Sequence, residues 1–134
     1  MSVGDSPLRH DAAAKADGSA VYAGDAVPVG ALPAKAVFSG KAHARMMSMS
    51  TAPAEAVRGV VAVLTAADVP VNEYGLTKFD QPVLIGLNDS GAAPTPSDVS
   101  RWEADHVAII VAETAAAAHA GAAALEIEWE DLPL

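Results

Sequence analysis

The chain has 134 residues, the size of one ordinary domain, and carries 17 acidic against 8 basic side chains for a net charge of −9. That balance leaves no basic stripe for nucleic-acid phosphates and would be repelled by an anionic membrane surface. With no cysteine, the chain has no disulfide, no thiolate nucleophile, no iron–sulfur ligation and no cysteine zinc site. The apolar fraction is 51%, mostly alanine and valine, with only 4% aromatic residues. Burial stabilises by about 25 cal/mol per Å², so a core of such small side chains is thin and gains from a covering partner.

Residues 1–20 hold no apolar segment of the kind a signal peptide needs, and later apolar runs are too short to span a bilayer, so the expected location is cytoplasmic. Residues 1–10, with Gly4, Ser6 and Pro7, read as a lead-in. Asp11–Ala16 form a short helical turn that Gly18 ends, and Val21–Ala31 read as loop. Ala34–Phe38 and His43–Ser50 are strand candidates, and Ser39–Ala42, around Gly40, suggest a hairpin connection between them. Alternation places His43, Arg45, Met47 and Met49 on one face and Ala44, Met46 and Ser48 on the other.

Thr51 is placed to cap a short helix with Pro53 in its first turn and Glu55 against the dipole, and Gly59 ends it. Val60–Leu64 is a continuous apolar strand, and Thr65 with Asp68 forms a capping signal for one more turn. Residues 69–105 form a long segment broken by Pro70, Pro82, Pro94, Pro96, Gly75, Gly86 and Gly91. Gln81–Ile85 could be a short edge strand there. A loop of this length usually serves function or lies against another surface. Val107–Ala112 is a buried strand, Thr114 caps an alanine helix over Ala115–Leu125, and Glu126–Trp129 returns as a strand. In that strand Leu125, Ile127 and Trp129 face inward. The order predicts a parallel, right-handed βαβ unit.

The chemistry-bearing residues form no complete site. There is no glycine-rich phosphate loop and no serine elbow, and His10, His43, His106 and His119 are scattered without metal-ligand spacing. His43 and Arg45 share a strand face that could bind a carboxylate or phosphate, or simply contact a neighbouring domain. Asp105 beside His106 could be an acid–base pair, but adjacent strand residues point to opposite faces. Glu126, Glu128, Glu130 and Asp131 could hold a hard cation, yet alternate carboxylates on one strand ordinarily form its solvated face. His119 in the alanine helix reads as exposed or as a satisfied core residue. No catalytic, cofactor-binding or metal-binding residue is assigned on this chain.

Four ordered segments carry a resemblance. Arg9-His10-Asp11-Ala12 through Tyr22 resembles the opening of the molybdenum-binding subunit of the xanthine dehydrogenase and aldehyde oxidase family. Ser39 with Ala42-His43-Ala44-Arg45 is similar to that family's turn and strand, although Gly40 stands where proline is usual. Gly59-Val60-Val61-Ala62-Val63-Leu64-Thr65-Ala66-Ala67-Asp68-Val69-Pro70 is nearly the family's own wording. Val107–Thr114, the alanine helix and Leu125–Pro133 resemble its closing segment, while Ser100–Asp105 replace a usual glycine-containing approach.

The resemblance implies an α/β fold with a mixed sheet, the α/β-hammerhead with a carboxyl-terminal βαβ unit, over residues 21–134 behind a lead-in of residues 1–20. It implies a non-catalytic domain or split subunit of a molybdenum hydroxylase that oxidises N-heterocycles or aldehydes with oxygen from water. The assembled enzyme would carry molybdopterin, [2Fe–2S] and FAD, none of them on this chain. The partners implied are a molybdopterin-binding large subunit and, through it, FAD and iron–sulfur subunits, with no nucleic acid and no membrane. In the family the molybdopterin and the catalytic glutamate lie in a longer region after this domain, so no catalytic or cofactor residue of the family falls on a matching position in this sequence. Two other functions compete. One is a stand-alone binding module that keeps the fold without oxidoreductase activity, and the other is a small enzyme working through Asp105 or His43.

Overall fold

A computed structural model of the chain describes residues 3–4, 6–7, 9–73, 75–77, 81–87 and 97–134. Gly91, Pro94 and Pro96, counted above among the breakers of the long segment, lie outside the described residues. The chain divides into two compact units, Met1–Ala31 and Leu32–Leu134.

The first unit holds helix α1 (Ala12–Ala16) and a 3-10 turn over Ala23–Asp25. Asp17 follows α1 as its cap and Gly18 then takes a positive φ of 80°, so the chain turns where the sequence placed the stop. The Asp11 carboxylate pairs with Lys15 one turn along and with Arg9, and these two bonds, Lys15 first, hold its pKa below the ordinary aspartate value.

The second unit contains two three-stranded antiparallel sheets. One has the order β1 (Ala34–Phe38), β5 (His106–Ala112), β3 (Val60–Leu64), and the other β4 (Val99–Ser100), β2 (Ala44–Ser50), β6 (Glu126–Asp131). Helices α2 (Ala52–Glu55) and α3 (Ala115–Ala124) complete it. This is the α/β class of architecture expected from the resemblance, but built from two antiparallel sheets where a mixed sheet was expected.

The facing sides of the sheets meet in a core of Met46, Ile85 and Val107, with Val37, Met49, Ile127 and Trp129 packed against it. Both methionines face inward because β2 carries a bulge between Met46 and Ser48, which resets the two-residue alternation. Strict alternation had put Met46 and Met49 on opposite faces. Along β6, Ile127 and Trp129 are half-buried and the glutamates exposed, as the pattern predicts.

On the other side of the first sheet, α3 lies close through Ala118 and Gly121, both buried. Thr114 caps α3 by accepting the Ala117 N–H at 3.1 Å. In the turn over Ala66–Asp68, Thr65 accepts the Ala67 N–H and the Asp68 carboxylate accepts the Thr65 N–H at 2.8 Å, so that capping signal is realised. Thr51, by contrast, makes no side-chain cap to α2, whose first turn is closed by Glu55 N–H bonding the Thr51 carbonyl.

Three expectations are corrected. β1 and β2 do not form a hairpin. β1 ends at Phe38, and the connector N–H groups of Ser39 and Gly40 go to the carbonyls of Asp105 and Glu103, so the chain crosses from one sheet to the other. Nor is the strand–helix–strand order at the carboxyl end a parallel βαβ unit. β5 is the central strand of its sheet, with β1 and β3 on its two edges, so β6 finds no edge there and pairs antiparallel with β2.

Finally, Gln81–Ile85 are not a strand; only Gln81 makes an isolated bridge. Leu84 is buried with its backbone bonded to a side chain instead of a neighbouring strand. Asn72, 2% exposed, accepts the Leu84 N–H at 2.9 Å and donates to the Leu84 carbonyl at 2.8 Å. Asn72→Ala would leave both groups buried and unpaired, at about 1–3 kcal/mol each. Urea unfolding should therefore show a clear fall in midpoint, and an unchanged midpoint would show that water replaces the amide.

Candidate functional site

The structure disperses the candidate residues instead of gathering them. The His43 ring nitrogen Nδ1 lies 2.6 Å from the Pro133 carbonyl oxygen, which only accepts, so Nδ1 carries the proton. The His43 carbonyl in turn accepts the Leu132 N–H at 3.0 Å, and the residue ties down the carboxyl-terminal end. Arg45 sits opposite Glu130 across β2 and β6, with Nε 3.4 Å from Asp98 Oδ2. Both members of this pair therefore already have partners within the chain.

Asp105 and His106 do not cooperate. One Asp105 carboxylate oxygen accepts the backbone N–H groups of Arg101 at 2.8 Å and Trp102 at 3.0 Å, shaping the loop before β5. His106 is exposed and stacks on Phe38, ring centres 4.9 Å apart and tilted by 47°.

The carboxylates of β6 spread along the strand. Glu128 accepts a 2.7 Å bond from Ser48, Asp131 pairs with Lys41 at 2.8 Å, and Glu126 and Glu130 are exposed. His119 and His10 are exposed on the surface of their own units.

Among the described residues, no group of three or more His, Asp, Glu or Cys side chains is placed to hold a metal. The chain has no cysteine, so it offers no thiolate to an iron–sulfur cluster. No described helix is long and apolar enough to cross a membrane.

A cavity of about 320 Å³ opens between the end of β2 and the turn over Ala66–Asp68, lined by Met46, Met49, Thr51, Thr65, Gly86 and Leu87 among others. Among the described residues its lining is methyl, thioether and two hydroxyl groups, and it suits an apolar group.

Three residues escaped the sequence reading. Asn72 clamps Leu84. Trp102 is 65% exposed on the loop that Asp105 shapes. Glu73 has one buried carboxyl oxygen with no hydrogen-bond partner among the described residues. Only the loop had a local signal, an aspartate three and four positions after the N–H groups it accepts. The role of Asn72 depends on its pairing with Leu84, twelve positions along the chain.

Residues 17–133 match the family model for the aldehyde oxidase and xanthine dehydrogenase a/b hammerhead domain. A probable xanthine dehydrogenase subunit of Bacillus subtilis (strain 168) is 34% identical over 128 residues, covering 95% of this chain and 16% of that protein. The xanthine dehydrogenase molybdenum-binding subunit of Escherichia coli O157:H7 is 33% identical over 127 residues, covering 95% of this chain and 17% of that one. Among solved structures, the reconstituted CO dehydrogenase from Oligotropha carboxidovorans superposes with a TM-score of 0.82 at 29% identity, over 97% of this chain and 15% of that one. The chain thus spans about one-sixth of the length of these relatives. The family match and the superposition agree, and the chain belongs to the aldehyde oxidase and xanthine dehydrogenase a/b hammerhead family.

Proposed function

We propose that the chain serves as the hammerhead segment of a cytoplasmic molybdenum hydroxylase, residues 21–134 behind a lead-in of residues 1–20, and that its role there is structural. The assembled enzyme would oxidise an N-heterocycle or an aldehyde with oxygen from water. Its molybdopterin, [2Fe–2S] and FAD would sit on partners, foremost a large molybdenum-binding polypeptide. The carrying observation is the family match over residues 17–133, in a chain whose His43, Arg45 and Asp105 are held by partners of its own. The relatives support a shared scaffold in place of a shared substrate, since one is named for xanthine and another for CO.

Native purification of the tagged chain from its source, followed by mass spectrometry and molybdenum analysis, tests this. A molybdenum-binding polypeptide, with FAD and iron–sulfur proteins, is the expected company. A chain that emerges alone and metal-free would sink the reading and favour a stand-alone binding module.

A further inference from the structure

Resting on the function proposed above, we infer that the loop Ser100–Asp105 is a docking anchor, with Trp102 as its apolar knob, for the molybdenum-binding remainder of the hydroxylase. The loop is held from below by an unusual density of bonds. Ser100 is fully buried, and its hydroxyl lies 2.7 Å from Ser39 Oγ, which donates to the Trp102 carbonyl at 3.0 Å. Asp105 accepts from the backbone of Arg101 and Trp102, while Ser39 N–H and Gly40 N–H bond the Asp105 and Glu103 carbonyls at 2.8 and 2.9 Å.

What this scaffold presents is an indole in water. Trp102 is 65% exposed, and the strand end beside the loop adds Phe38, 47% exposed, with His106 stacked on it. A large apolar side chain on a loop already ordered loses little conformational freedom when it is covered. Tryptophan is the residue most often found to dominate an interface, seated in a pocket and ringed by polar neighbours. The charged, exposed Arg101 and Glu103 on either side of it supply such a rim.

Two observations choose the occupant. In the relatives, the matching segment is only 16–17% of the polypeptide, so the remainder beside it is about five times its size. A second copy of this chain would bring another net charge of −9 to the contact, and like charge opposes that association.

The test compares natively purified, tagged wild type with Trp102→Ser and Trp102→Phe, measuring the co-purifying molybdenum-binding polypeptide by mass spectrometry and molybdenum content. Thermal unfolding of each isolated variant monitors the fold. Recovery of the polypeptide should fall by about thirtyfold or more in Trp102→Ser, the scale of an interface hot spot, and largely return in Trp102→Phe. Should Trp102→Ser unfold early, Phe38→Ser at the strand end beside the loop replaces it, with a smaller loss of recovery expected.

Wild-type recovery by folded serine variants would overturn the inference and leave the proposed function standing. A wild type that captures no molybdenum polypeptide would overturn both. A wild-type dimer that Trp102→Ser dissolves, with no molybdenum polypeptide present, would assign the surface to a second copy and overturn the inference too.

Discussion

Gly121→Ala should destabilise the chain, although alanine is the better helix former. In an open helix the exchange gains up to about 1 kcal/mol, because glycine gives up more backbone freedom on folding. In α3 a Cβ at this position would lie 2.8 Å from Val60 Cγ2 and 2.9 Å from Ile110 Cγ2. Both neighbours are β-branched and stiff at χ1, and Ile110 is fully buried, so neither methyl swings away cheaply. Overpacking of this kind costs about 1–3 kcal/mol, which exceeds the propensity gain, and Gly121→Val should cost more.

Chemical denaturation of the two variants reads the effect. Adding Val60→Ala should recover part of the loss, as a coupling of about 0.5–3 kcal/mol between touching residues. A higher midpoint for Gly121→Ala alone would mean that the helix shifts outward and that the close approach is dispensable.

Met46→Ala should have the largest effect of any single truncation in the core. Met46 is 1% exposed and is the largest of the fully buried side chains, placed between the two sheets against Ile85 and Val107. Truncating a buried methionine to alanine costs about 2–5 kcal/mol, partly for the lost transfer and partly for the cavity left behind. Domains of this kind hold only about 5–15 kcal/mol in total, so the variant should unfold at far lower denaturant. The existing cavity beside Met46 would grow, and an apolar probe should then restore part of the midpoint. Met46→Leu, close in volume, should cost less than about 1.5 kcal/mol. A Met46→Ala protein with a wild-type midpoint would mean that the sheets close over the gap.

The family was legible mainly in the ordered wording of the chain, since the family-like segments around Gly59–Pro70 and Val107–Pro133 fall inside the matched residues 17–133. The candidate site was less legible. His43 and Arg45 were paired by strand alternation, but the structure commits one to Pro133 and the other to Asp98, 90 and 53 positions away in sequence. Asp105 was weighed as an acid and turns out to hold a loop, because its carboxylate finds backbone N–H groups three and four residues back.

Local rules of the backbone placed most elements correctly. The Thr65 and Thr114 caps, the Gly18 stop, the alanine helix and the in–out pattern of Ile127 and Trp129 each depend on residues within a few positions of one another. Pairing between strands depends on which edges are open when the chain closes, and no local pattern records that. β5 lies with β1 and β3 on its two edges, so β6 went to β2. The hairpin gave way to a crossing for the same reason, because the N–H groups of Ser39 and Gly40 found carbonyls more than sixty residues along the chain. The bulge that turns both Met46 and Met49 inward likewise arises from register against β6, a property of two strands together and of neither alone.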